Sequence, residues 1–180
     1  MRKTSTLAAV VLSTFAGAIA CDDATDLDEM FFRANLSTAN VLGPIILPVG
    51  VVPAVGVTSI IINDGIMTVT IAVTDNLSSA VTGAQLRGPA TELEDGLVVF
   101  DFGPAMAAAI AAGAVTGQLI SVEYDLVTLP VTAAGELRIT PADLINLLNS
   151  GLSYVNVTTV TNPNGELRGQ VFRTDAAFED

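Results

Sequence analysis

The sequence predicts an all-β domain, a sandwich or barrel interrupted by one or two short helices. Three observations carry that expectation. Short runs rich in Val, Ile and Thr recur along the chain, 15 glycines and 8 prolines punctuate them at sandwich-like spacing, and 180 residues suffice for a single core without staples. Hydrophobic residues make up 51% and mean hydropathy is +0.60, but the apolar residues are spread along the chain, not gathered into one span.

Residues 1–20, MRKTSTLAAVVLSTFAGAIA, read as an export signal. Arg2 and Lys3 give a basic start, and the apolar run from Leu7 to Ala20 is 14 residues, short of the roughly 20 that cross a bilayer as a helix. Ala18-Ile19-Ala20 has the small-x-small pattern of a signal-peptidase site. The single cysteine, Cys21, follows at once, and one thiol makes no intramolecular disulfide. The segment resembles a bacterial lipobox, in which that thiol is alkylated with diacylglycerol, although Ala18 stands where Leu is usual. Ordinary cleavage leaving an unmodified Cys21 is the alternative. Residues 21–30 form an acidic tether, with five acids in the eight residues DDATDLDE and no apolar periodicity. The expectation is an exported protein of the cell envelope, lipid-anchored to a membrane through Cys21, periplasmic or at the cell surface.

The domain proper is expected over residues 31–174, with a tail at 175–180. MFFRANLS opens it. VTSIIIN and IMTVTIAV flank Asn63-Asp64-Gly65, a hairpin signal because Asp-Gly supplies the positive φ angles of a tight turn. VTGAQLRG, LVVFDFG, VTGQLISVEY, LSYVNVTTV and ELRGQVFR follow as further strands. One short helix is expected between Pro104 and Gly113. A clearer one has Thr140 as N-cap, Pro141 at its first position, Asp143 near its positive end and Gly151 as its stop. Leu144, Ile145, Leu147 and Leu148 give that helix one apolar face.

The helix followed by Tyr154-Val155-Asn156-Val157, Asn162-Pro163, Gly165-Glu166 and Arg168-Gly169-Gln170-Val171 resembles the chordin-type (CHRD) domain. FFRANLSTANV, VTGAQLRGPA and GLVVFDFG are similar to the family's upstream segments, so the resemblance spans roughly residues 31–173. It implies an immunoglobulin-like or superoxide-dismutase-like β-sandwich or barrel, found in chordin and in many exported bacterial proteins, with no general enzymatic activity. The departures matter as much. The chain has no histidine, and the family's histidine positions are held by Gln85, Arg87 and Thr158. Amide and hydroxyl oxygens suit zinc or copper poorly and a guanidinium repels both, so no metal site and no cofactor is expected.

Strand alternation places Gln85 and Arg87 on one face, and Tyr154, Asn156 and Thr158 on one face of another strand. Gln85, Arg87 and Thr158 read either as a remodelled binding site, with Arg87 supplying a positive charge, or as a polar patch satisfied by its neighbours. Glu166 and Arg168, two apart on a strand, complete the candidate binding residues, with a structural hydrogen-bonding role the simpler reading. Arg87 is expected to meet a carboxylate, Glu166 first and Asp101 second. ATELEDG, the densest acid cluster outside the tether, reads as a solvated loop, and no calcium-binding D-x-[DN]-x-[DN]-G loop is present. PIILPVGVVPAV, residues 44–55, is barred from a central strand by Pro44, Pro48 and Pro53, yet its aliphatic residues want burial. It either covers one end of the barrel or presents an apolar patch to a protein partner.

Without Arg2 and Lys3 the chain keeps five bases, all arginine, against 19 acids, a net charge of −14. Such a surface repels nucleic acid, which is excluded as a partner. The functional expectation is a membrane-anchored extracytoplasmic module, not an enzyme, with a binding or envelope-structural role. Two alternatives stand beside it: a degenerate superoxide-dismutase-like barrel with residual chemistry, and a small-molecule carrier using the barrel interior.

Overall fold

Alternation of buried and exposed side chains builds the sheet. In β1 (Met30–Ser37), Met30, Phe32, Ala34 and Leu36 are buried, and β3 (Ile66–Val73) buries Met67, Val69, Ile71 and Val73 likewise. With a period of two, every second side chain faces the core. The computed structural model describes residues 29–128 and 139–174. The expected export signal, Cys21, nearly all of the acidic tether and the tail at 175–180 lie outside the described residues. The boundary expected after residue 30 shifts by one, since Met30 already belongs to β1 and buries its side chain.

The other strands are β2 (Val55–Asn63), β4 (Val81–Gly88), β5 (Leu97–Asp101), β6 (Gly117–Asp125), β7 (Tyr154–Thr159) and β8 (Leu167–Thr174). They form one antiparallel sheet in the order β5-β4-β7-β8-β1-β2-β3-β6, curled into a half-barrel. The fold is all-β as expected. The two edge strands meet through side chains: the Phe100 ring of β5 lies 4.7 Å from Tyr124 of β6, edge to face, with Phe102 beside both. At this seam burial first, and the Asp101 carboxylate second, push the Tyr124 hydroxyl up to about 12. Phe32, Leu36, Ile60, Met67, Ile71 and Leu86 fill the interior.

The β2–β3 hairpin turns at Asp64 and Gly65, both at positive φ (48° and 78°). The later helix, α2 (Pro141–Ser150), forms as its signals require: the Thr140 side chain accepts from the Asp143 amide, Gly151 closes it at φ 69°, and Leu144 and Leu148 are buried. The earlier one, α1 (Ala107–Ala111), is only five residues, because no side chain caps its start and Met106 is the nearby residue that anchors it in the core. Between β1 and β2 the proline-rich segment is irregular. Ala54 is buried, but Ile46, Val49 and Val52 are exposed, so coverage of the barrel end is at best partial.

Candidate functional site

The outward faces of β4, β7 and β8 carry the polar residues that the sequence singles out. Register sets Arg87 opposite Tyr154, Gln85 opposite Asn156, and Asn156 opposite Arg168. Their neighbours Leu86, Val155, Val157 and Leu167 point into the core. Tyr154, Asn156 and Arg168 are nonetheless buried, because connecting segments fold back over this face and make a second, polar layer.

Arg168 organises one half of that layer. Its Nη2 donates to the carbonyls of Thr91 (2.8 Å) and Glu94 (2.7 Å), and its Nη1 meets Asp95 Oδ1 at 3.1 Å. The guanidinium also sits 3.6 Å from the centre of the Tyr154 ring. Tyr154 adds its hydroxyl, donating to Asp95 and accepting from the Gly96 amide. Gln170 Nε2 donates to the carbonyls of Ala90 and Gly151. The acidic loop after β4 is exposed, as expected, but it is pinned through its backbone carbonyls and through the Asp95 carboxylate.

Glu166 organises the opposite corner. Its carboxylate, fully buried, accepts from the Ser78 amide and hydroxyl, from Thr159 Oγ1 and from Asn162 Nδ2. Asn162 passes the order on: its Oδ1 accepts from the Ile46 amide at 2.8 Å and its Nδ2 donates to the Ile46 carbonyl at 3.0 Å. One carboxylate therefore ties the β3–β4 connection, the β7–β8 turn and the apolar segment together. Glu166 and Arg168 serve separate networks.

The expected carboxylate partner of Arg87 is not there. Its Nε donates to the Gly96 carbonyl (3.0 Å) and its Nη1 to Gln85 Oε1 (3.1 Å). Glu166 is committed elsewhere, and Asp101 accepts from the Gly103 amide. Geometry explains the miss: Arg87 stands opposite Tyr154, whereas Glu166 bonds through its amide to Val157, three residues or about 10 Å further along β7. Thr158 Oγ1 donates to the Gly83 carbonyl and takes a hydrogen bond from Thr82.

Gln85, Arg87 and Thr158 do come together. With Asp95, Asn164 and Arg168 they line a mostly polar groove of about 460 Å³. Among the described residues no cluster of three or more His, Cys, Asp or Glu could hold a metal ion. A family model of the CHRD domain matches residues 32–171. The chain belongs to the CHRD domain family. Comparisons with curated proteins and with solved structures give no significant match. Membership supports a binding-type module.

In this CHRD domain the C-terminal motif is a folding device. Arg168 and Gln170 clamp the loop after β4, and Glu166 and Asn162 tie the other pole. Gly169 lies where a Cβ would strike the Asn35 carbonyl of β1, and at Gly165, φ 136°, a Cβ would strike the Asn156 side chain. Sequence reasoning missed Tyr154, Asn162, Ser78 and the backbone carbonyls of Thr91 and Glu94. Tyr154 and Asn162 stand inside the quoted motif, so the motif itself was the available signal. Backbone acceptors leave none.

Proposed function

We propose that this CHRD protein is an exported, membrane-anchored module that binds a ligand in the groove of Gln85, Arg87 and Thr158 and performs no catalysis. The observation that carries the reading is the groove itself, where residues far apart in sequence converge on a face that the core does not need. It offers amides, hydroxyls, the Asp95 carboxylate and two guanidinium groups, of which that of Arg168 is engaged by Asp95 and loop carbonyls, with no nucleophile–base pair for acid–base or covalent chemistry. The barrel interior is filled with aliphatic and aromatic side chains, which argues against a carrier using that space.

The direction of β1 supports an anchored arrangement. The chain enters at Met30, whereas Ser37, paired with Arg168, lies seven residues on, about 23 Å along the strand. An anchor joined ahead of Met30 would attach at that end of β1, an arrangement that would leave the groove open to the surroundings. Two acyl chains or more hold a protein firmly on a bilayer, where one gives marginal binding. The test uses two variants. Cys21→Ser should move the protein from the membrane to the soluble fraction, and that soluble form should be retained by isolated envelope material. Adding Thr158→Trp, which fills the groove, should abolish the retention with the unfolding midpoint preserved. Equal retention of both soluble forms would remove the groove from the reading, and intact mass showing an unmodified Cys21 terminus would remove the anchor.

A further inference from the structure

We infer that the groove takes a ligand bearing a carboxylate among hydroxyl groups, an acidic saccharide of the glycuronate class, with Arg87 as its anchor. The inference rests on the binding reading above and adds the chemistry of the ligand. Its starting point is a charge left unanswered. Arg87 is half-buried, and both of its hydrogen bonds go to neutral acceptors, the Gly96 carbonyl and Gln85 Oε1. In a chain with 19 acids, none lies within ion-pair distance of this guanidinium among the described residues.

A guanidinium has five N–H donors, and a partly desolvated cation is costly unless a counter-charge meets it. Here two donors are spent on fixing the orientation of the group. Nη2 has no partner among the described residues, so the end of the fork formed by Nη1 and Nη2 is open. A planar carboxylate fits that fork with two parallel hydrogen bonds.

Phosphate fits less well. It concentrates close to two negative charges on one compact centre, beside a single open guanidinium because Arg168 is already engaged by Asp95, and no helix N-terminus lines the groove. The surroundings favour a ligand rich in hydroxyls. Gln85 uses its carbonyl oxygen on Arg87, and its amide N–H groups have no partner among the described residues; Asn164 is exposed at the rim. Leu42 and Pro163 supply small apolar surfaces suited to the C–H face of a sugar ring, and the groove has the size of a small-molecule cleft. It offers no deep apolar pocket for a peptide side chain.

The experiment is an NMR titration of the full chain carrying Cys21→Ser with four probes: oligogalacturonate, its methyl ester, inorganic phosphate and triglycine. Oligogalacturonate should shift the amide resonances of Gln85, Arg87, Thr158 and Asn164. Esterification should weaken binding about tenfold or more, and Arg87→Gln should do the same at an unchanged unfolding midpoint. Equal binding of acid and ester, or undiminished binding by Arg87→Gln, overturns the role of charge and leaves the binding groove standing. Tighter binding of phosphate or triglycine than of the acid overturns the ligand class. If no probe moves the groove resonances, the inference falls, and the envelope-retention experiment decides separately whether the groove binds anything.

Discussion

Arg168 and Arg87 stand on the same outward face of the sheet, on β8 and β4 with β7 between them, and the molecule treats them differently. Arg168 is buried and the end of its fork is answered by two carbonyls, a carboxylate and the face of Tyr154. Arg87 is half-buried and answered by one carbonyl and one amide oxygen. Glu166 shows that burial of charge does not itself need an ion pair, since four donors from Ser78, Thr159 and Asn162 fill its acceptor sites. Occupancy of the hydrogen-bonding end of the group separates structure from site here. Where both nitrogens at the end of the fork are spent on the protein, the group holds loops together; where the fork stays open, the group is available to a ligand.

Arg168→Ala should break the clamped region and have the largest effect. Asp95 is 70% exposed, so the ion pair itself contributes little. The loss comes from two carbonyls without their donor and from an emptied space against Tyr154, about 3 kcal/mol together. Chemical denaturation of the variant measures it. Arg168→Lys should rescue little, because an ammonium cannot reproduce the fork that spans both carbonyls and Asp95.

Glu166→Gln comes next, at about 2 kcal/mol, since an amide sets N–H donors against the Ser78 amide or Asn162 Nδ2. Its signature should be local as well as global. Hydrogen exchange at the Ile46 amide, held by Asn162, should quicken more than exchange in β2 and β3. If exchange at Ile46 is unchanged, Glu166 is not the tie described above. On the core side the comparison sharpens with Thr58, a fully buried residue whose hydroxyl has no partner among the described residues. Thr58→Val should raise stability by about 1 kcal/mol, because it removes an unsatisfied polar atom at nearly constant shape. A loss of stability would reveal a partner for that hydroxyl.

All eight strands are legible in the sequence because alternation and turn chemistry are local properties. Val57 to Asn63, Asp64-Gly65 and Ile66 to Val73 announce a hairpin without reference to anything else. Whether the strands close as a sandwich or a barrel is not local. That depends on β8 pairing with β1 across more than 130 residues and on Phe100 meeting Tyr124, neither of which leaves a mark on neighbouring residues. The site was half legible for the same reason. Alternation put Gln85 with Arg87 and Tyr154 with Asn156 and Thr158, and the structure joins the two sets. The partner of Arg87 was misjudged because strand-level reasoning gives a face but not a height along it. Arg168 was singled out without its main partners, since any residue can present a backbone carbonyl.

Arg87→Ala is the smallest expected effect on stability and the sharpest test of the comparison. Were Arg87 paired with a buried carboxylate, the change would strand that acid and cost about 2 to 4 kcal/mol. The observed partners lead elsewhere. Gln85 Oε1 borders an open groove where water can take over its hydrogen bond, so only the carbonyl of buried Gly96, a neutral acceptor, loses a donor. The unfolding free energy should therefore fall by about 1 kcal/mol or less, the worth of one neutral hydrogen bond. The same substitution should cost most of any affinity for an anionic ligand, because it removes the one guanidinium in the groove whose fork remains open. Arg168→Ala should show the reverse order, a large stability loss in the absence of ligand. A stability loss for Arg87→Ala approaching that of Arg168→Ala would make both arginines structural and leave the groove without its anchor.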